Sequence, residues 1–268
     1  MTLSRNWPAW VAIARTSIRH RYIYRFNALL AILFTGLQIY LLTVVWKAAY
    51  GDRTEVDGIA IGQLLVYLTL AQLQLRFLQM ELDGDIEGRI RLGQIGFDLS
   101  RPVGYPSQLL AAAVGDMIGQ LPMLAVAFPI ALIAGELSGP PSVTAGFGYA
   151  AALLLAWILA ALLNMLIGLV SFWTLEMSGF RMIYNLVGNF ATGALVPLWF
   201  MPDALRIVIQ VLPFQAIAFV PVSIYVGAPA TGALWTALLL QATWIGVLIL
   251  AIRWIWGQAF KHMVIQGG

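Results

Sequence analysis

The sequence predicts an all-α membrane protein with six transmembrane helices in one domain spanning residues 1–268. Three observations carry that expectation. Hydrophobic residues make up 61% of the chain and charged residues 10%, with a mean hydropathy of +0.85. Apolar runs of about 18 residues or more recur, each long enough to cross a hydrocarbon core of about 30 Å. The runs are continuous rather than alternating, which argues against a barrel. Backbone groups in lipid must find their hydrogen bonds within the protein, and helices do this locally. The absence of cysteine excludes disulfides and thiolate metal sites.

Residues 1–26 open the chain. Trp7, Trp10, Val11, Ala14 and Ile18 recur at helical spacing as one apolar face, with Arg15 and Arg19 to one side and Arg5 opposite. This predicts an amphipathic helix lying in the interface, followed by Arg21 and Arg25 where the chain enters the bilayer. A disordered basic tail is the alternative, and the two tryptophans argue against it. Spans are expected at 27–49, 59–80, 108–134, 147–172, 182–200 and 231–252. The first run is too long for the apolar region of a cleavable signal. No internal repeat or low-complexity tract interrupts the series.

Charge placement predicts the orientation. Arg5, Arg15, Arg19, Arg21 and Arg25 precede the first span. Arg76, Arg89, Arg91 and Arg101 surround the 81–106 loop, Arg181 follows the fourth span, and Arg253 and Lys261 close the chain. The opposite side carries only Lys47, Arg53 and Arg206. Both termini and the 81–106 loop are therefore expected in the cytoplasm of a cell whose inner membrane holds the protein. Residues 203–227 are apolar enough for another span, but a full crossing would place Arg253 and Lys261 outside. Pro213 and Pro221 are expected to break the helix twice. The reading is two short re-entrant helices dipping into the outer leaflet, hinged near Leu212, Pro213 and Phe214; a kinked seventh span is the alternative.

Residues 83–102, DGDIEGRIRLGQIGFDLSRP, concentrate charge in an otherwise oily chain. Asp83, Asp85 and Glu87 come first and Arg89 and Arg91 follow, an order that suits the helix dipole at both ends. Ile86, Ile90, Leu92, Ile95 and Leu99 continue an apolar stripe, and Arg101-Pro102 stops the segment. A short amphipathic helix is predicted, either a docking surface or a solvated helix touching only its own protein and lipid headgroups.

The run Ile90-Arg91-Leu92-Gly93-Gln94-Ile95, continued by Leu99-Ser100-Arg101-Pro102 and preceded by Gly62-Gln63-Leu64-Leu65-Val66-Tyr67, resembles the permease subunits of ABC-2-type exporters. The branch is one with paired, distinct permeases served by one ATPase. Trp46-Lys47-Ala48-Ala49-Tyr50 and Leu212-Pro213-Phe214, with Pro221, Tyr225 and Gly227, extend the likeness over nearly the whole chain. The acid-rich Asp83-Gly84-Asp85 is less typical of it. The resemblance implies an elbow helix, six spans, a coupling helix between the second and third, and re-entrant helices between the fifth and sixth. Asp83, Asp85, Glu87, Arg89, Ile90, Arg91, Leu92, Gly93, Arg101 and Pro102 would then meet a separate ATP-binding subunit. The chain has no G-x-x-x-x-G-K-[ST] loop, so ATP and Mg are expected on that partner and not here. A second permease, a different chain or a copy, and membrane lipids complete the expected partners; nucleic acid is not among them.

Asp116 is the acid deepest in a span, and burying it is costly unless it faces protein or water. It reads either as a site for a cationic amphiphile, with Gln120 one turn on, or as a packing hydrogen bond. Gly115 and Gly119 form a small-xxx-small pair that favours packing. Asn164, Asn185 and Asn189 read as interhelical hydrogen bonds or as lining of a substrate path. Phe190, Trp199, Phe200, Phe214 and Phe219 read as interfacial aromatics or as an outer gate. His20 and His262 have no companion ligands at metal spacing, and the acids at 83–87 read as a helix start. No catalytic constellation is visible, so a transport subunit is expected rather than an enzyme, moving a hydrophobic or amphiphilic compound. An ion-coupled carrier or channel, and a non-transporting anchor or assembly protein, are the rival classes.

Overall fold

The computed structural model describes residues 3–23, 25–80, 82–174, 176–228 and 233–262, leaving aside the side chains of 3–6, 25, 82–85 and 260–262. Among these, the helices in chain order are α1 (Leu3–Ile23), α2 (Arg25–Tyr50), α3 (Ile61–Leu78), α4 (Leu82–Arg91), α5 (Ile95–Leu99), α6 (Tyr105–Ala134), α7 (Val143–Val170), α8 (Ser178–Ala191), α9 (Asp203–Gln210), α10 (Phe219–Val226) and α11 (Leu234–His262). A two-residue hairpin, β1 (Glu55–Val56) and β2 (Ile59–Ala60), links α2 to α3 with Glu55 opposite Ala60. Five helices are long and apolar enough to cross a membrane: α2, α3, α6, α7 and α11.

The predicted face of α1 is the one used. Gly115 and Gly119 of α6 receive it, with Ala14 against Gly115 and Ile18 and Arg21 against Gly119. Trp7 stays exposed. Pro122 and Pro129 lie inside α6 without ending it, as is tolerated where neighbouring helices re-satisfy the freed carbonyls. Among the described residues three apolar clusters form the interior. One joins α3 to α10 around Tyr67, Leu64 and Phe219. A second joins α7, α6, α11 and the base of α4 around Leu159, Met165 and Ile86. The third joins α2, α3 and α6 around Ile32, Ile39 and Ala131.

The expected helix at 182–200 is corrected. α8 begins earlier and stops at Ala191, 14 residues in all, about 21 Å at 1.5 Å per residue. Gly193 takes a left-handed φ of 77°, the usual helix terminator, with Pro197 beyond it. Hydropathy ran through this stop because Ala, Leu and Val continue past it. The last span begins at Leu234; its expected start at Thr231 lies outside the described residues.

Between α8 and α11 the backbone runs to one end of the bundle, returns to mid-depth and climbs back. Phe200 lies beside the rings of Trp46 and Tyr50, near the hairpin end of α2. α9 then leads to a 3-10 turn at Pro213–Ala216. The Gln74 side chain of α3 donates to the carbonyl of Ile217, and that of Gln63 to the carbonyl of Val226, 2.8 Å away. Gln63 and Gln74 are eleven residues apart on α3, about 16 Å along its axis. The tip therefore reaches about half the thickness of a hydrocarbon core. The break at Pro213 falls where expected. Pro221 breaks nothing: it sits in the first turn of α10, where its missing N–H has no helical partner to lose.

Broken helices leave carbonyls without partners, which is costly away from water. Here side chains of other helices, and of the turn after α9, supply the donors. Tyr67 Oη donates to Gly193 O at 2.9 Å and Gln72 Nε2 to Ala194 O at 2.9 Å, at the end of α8. Gln215 Nε2 donates to Gln210 O at 2.7 Å, at the end of α9. Gln241 Nε2 reaches both Ala216 O at 2.8 Å and Ala152 O at 2.9 Å, tying the hairpin tip to α7 and α11. Gln241→Leu is expected to cost about 1–3 kcal/mol, two membrane hydrogen bonds at the measured scale. A fall in the melting temperature of the purified protein checks it; an unchanged value would show that the tip holds itself.

Candidate functional site

α2, α3, α7 and α8 line an open-sided cavity of about 570 Å³. Its lining is unusual for a membrane interior because six amide side chains belong to it. Gln72 and Gln79 come from α3 and the residue after it, Gln38 from α2, Asn164 from α7, and Asn185 and Asn189 from α8. The three asparagines predicted as path or packing residues thus share one space. Asn185 and Asn189 are one turn apart on α8, which puts both on its inward face. Asn164 also donates to Ala160 O of its own helix at 2.9 Å. The opposite face of α8 carries Phe180, Ile183, Leu186 and Val187, all exposed.

Arg76 and Arg181 line the cavity at the side nearer α4, beside Gln79 and Met80. Phe214 and Ile217 of the hairpin tip also line it, Ile217 next to Gln74 of α3. Phe214 is held there by the ring of Tyr184, 5.7 Å between centroids, and by Gly188, where a β-carbon would meet its ring at 3.2 Å.

The α4–α5 corner stands next to the Arg side of the cavity. The predicted single helix is two, parted by Gly93 at φ 68°. Ile86 is fully buried, and Ile90, Ile95 and Leu99 pack on the base formed by α6 and α7. Leu92 departs from the predicted stripe. The Gly93 turn leaves it 72% exposed, beside Phe97 at 75%. The corner is braced by Asp98, whose carboxylate is almost fully buried. Arg89 Nη1 donates to both its oxygens, at 2.8 and 3.1 Å, and Arg101 Nη2 lies 3.2 Å away. Gln108 Nε2 donates to Asp98 O and Val103 O, joining the corner to α6. Glu87 points the other way. It is buried, accepts from Arg181 Nη2, and lies 3.4 Å from the backbone N–H of Met177, just before α8. Arg91, Gly93 and Pro102 are exposed. The side chains of Asp83 and Asp85 lie outside the described residues.

The remaining predicted residues are elsewhere. Asp116 is half-buried on α6, between the two glycines that receive α1, and does not line the cavity. Gln120 donates to Gln79 O at 3.1 Å and borders a small crevice beside Arg21 and Arg76. Trp199 and Phe219 pack with Tyr67, ring centroids 4.9 to 6.2 Å apart, outside the cavity. Phe200 sits farther out, against Trp46, and Phe190 is on the exposed side of α8. Four of the five aromatics thus share one apolar cluster, and Phe190 lies outside it.

Sequence reading passed over Asp98 and the carbonyl-bonding glutamines. The glutamines had a visible signal, since Gln72, Gln74 and Gln241 interrupt apolar spans as the asparagines do. Asp98 had none: its partners stand nine residues before and three after it, a pairing that only the Gly93 turn creates.

A family model described as ABC-2 family transporter protein matches residues 7–267. A search of curated proteins finds no match. Apolar helices fit to cross a bilayer and a chain-long family match agree: the chain belongs to the ABC-2 transporter family, as a multi-pass membrane permease.

Proposed function

We propose that this chain is the membrane half of an ATP-driven exporter, taking a hydrophobic or amphiphilic compound from the cytoplasmic side and releasing it outward. The α4–α5 corner is the coupling element. It sits on the cytoplasmic face of the inner membrane, with both termini, and receives a separate ATP-binding subunit that carries ATP and Mg. Two permeases, this chain with a different one, complete the transporter. α8 and the segment to Phe200 make the fifth crossing, α11 the sixth, and α9 with α10 form the re-entrant hairpin between them.

One observation carries the reading. An exposed apolar pair, Leu92 and Phe97, projects from a corner that is itself rigidly braced by Asp98, Arg89 and Arg101 and backed by buried Ile86. Exposed apolar side chains on a fixed platform suit a protein partner. The platform is tied to the cavity wall through Glu87 and Arg181. ATP-driven closure of the partners would push α4, and the ion pair would carry that displacement to α8. α8 presents Asn185 and Asn189 to the cargo, and Phe214 of the hairpin tip yields last.

The test removes the knobs and leaves the brace. Leu92→Asp with Phe97→Asp should fold normally, since neither side chain is buried. In the native host it should lose a co-purifying Walker-motif ATPase by about tenfold or more, as hot-spot losses of about 2 kcal/mol imply. Undiminished capture, or a wild-type complex without any ATPase, would sink the proposal. Transport by the chain alone on an ion gradient would favour a carrier instead.

A further inference from the structure

We infer that the open-sided cavity between α2, α3, α7 and α8 selects a neutral amphiphile that carries hydrogen-bond donors, hydroxyl or amide N–H groups, on its polar part. Export of this cargo rests on the proposed transport function; its recognition rests on the amide side chains of the walls.

Gln38 stands at the midpoint of the apolar stretch Phe26–Tyr50, so its amide lies near the middle of the bilayer. Gln38, Asn185 and Asn189 are exposed, line the cavity, and hydrogen-bond through their side chains to no described residue. Each amide offers donors and acceptors, and leaving such groups unpaired away from water is costly. The walls from α3 and α7 differ. Gln72 donates to Ala194 O and Asn164 to Ala160 O, both at 2.9 Å. Their side-chain oxygens receive no hydrogen bond from a described residue and remain acceptors. Arg76 and Arg181 are engaged with Gln79 and Glu87, and the amides carry the selection.

A cargo satisfies all of these walls only if it donates as well as accepts. An ether or ester oxygen could accept from Gln38, Asn185 and Asn189, but it would leave the oxygens of Gln72 and Asn164 without a donor. Unpaired polar groups of this kind are what make a site reject an analogue. Hydroxyl and amide groups meet both demands. The volume of about 570 Å³ lies within the range of small-molecule pockets, and Leu75, Leu195, Phe214 and Ile217 offer apolar surface to the rest of the molecule. Interhelical amide bonds join surfaces in contact. These amides border a concave space instead, which assigns them to a ligand rather than to the packing of a second permease.

The experiment uses the full transporter in zwitterionic nanodiscs. Three neutral probes share a diazirine-bearing twelve-carbon tail. One ends in a glucamide head, one in the same head with every O–H and N–H methylated, and one in a plain methyl group. Photolabelling of Tyr184, a cavity residue, is read by mass spectrometry. The glucamide probe should label it about tenfold more than its methylated counterpart, the range that one or two neutral hydrogen bonds provide. Asn164→Leu, which removes an acceptor bonded only within its own helix, should bring that ratio down to about threefold or less. Gln38→Leu, which removes both donors and an acceptor, should weaken labelling by both headed probes by about threefold or more. Constant labelling by the methyl-ended probe would show that the cavity is intact in each variant. Equal labelling of the wild type by the two headed probes overturns the inference, as does a preference that survives both substitutions. Loss of the second permease from either variant also overturns it, by assigning the amides to packing between subunits. ATP-dependent uptake into inverted vesicles is measured separately. Failure of every probe there, with the labelling preference intact, would remove the exporter reading and leave the binding inference standing.

Discussion

Gly115→Val is expected to remove most of the folded protein from the membrane. A β-carbon built on Gly115 would lie 2.3 Å from the carbonyl oxygen of Ala14 and 2.8 Å from its Cα. Ordinary contacts between heavy atoms lie near 3.5 Å or beyond, so α1 would have to retreat by roughly 1 Å along its contact with α6. The obstacle is backbone, and no rotamer change relieves it. Helix propensity acts in the opposite direction, since replacing glycine within a helix gains up to about 1 kcal/mol. Overpacking typically costs about 1–3 kcal/mol, and more where backbone must move, so the clash wins. Gly119 is the control. Its β-carbon would approach Arg21 Cβ at 3.3 Å and Ile18 Cα at 3.5 Å, separations that small shifts accommodate. Gly119→Ala should therefore be close to neutral. Monodisperse yield of a fluorescent fusion in detergent measures both. Unchanged yield and melting temperature for Gly115→Val would show that α1 does not dock on α6 through this turn.

The second large effect is expected at Glu87. Its carboxylate is buried and joins Arg181 across 94 residues of sequence, with the N–H of Met177 also directed at it. Removing one partner of a buried pair strands the other, at about 3–5 kcal/mol when both are fully dry. Arg181 keeps 30% of its side-chain surface, so about 1–3 kcal/mol is the better expectation. The functional loss should exceed the loss of stability. Glu87→Ala leaves Leu92 and Phe97 in place, so the ATPase should still bind and hydrolyse ATP. Transport per ATP should fall by about tenfold or more, as expected when a coupling free energy of 1–3 kcal/mol is removed. Glu87→Arg combined with Arg181→Glu should recover part of it, and the double-mutant cycle should report a coupling of about 1–3 kcal/mol. A proportional fall in hydrolysis and transport, without rescue by the swap, would mean that Glu87 only holds the fold.

These two expectations differ in how far the sequence foretold them. Gly115 and Gly119 were readable as a close-packing pair because both glycines and the apolar face of α1 are local periodic patterns. Their partner was not named by either pattern. Glu87 was readable as part of a charged helix start near a cytoplasmic loop, but nothing in its neighbourhood points to Arg181. Asn164, Asn185 and Asn189 were flagged as polar groups at membrane depth, and their meeting in one cavity with Arg76 and Arg181 came from the arrangement of four helices. Asp116 shows the reverse. Its charge alone made it the strongest candidate for the cargo path, and its place beside α1 takes it away from the cavity.

Composition and periodicity determined by themselves the membrane class, the long helices, the buried face of α1, the break at Pro213 and the family likeness. Each is set by a residue's own chemistry or by neighbours within a turn or two. Tertiary structure alone decided that α8 ends at Ala191 with Tyr67 and Gln72 taking up the freed carbonyls, that Asp98 braces the α4–α5 corner, and that the cavity wall is amide-rich. Partners such as Gln72 and Ala194 lie 122 residues apart. No local propensity encodes such a bond, and only the packed bundle brings its donor to its acceptor.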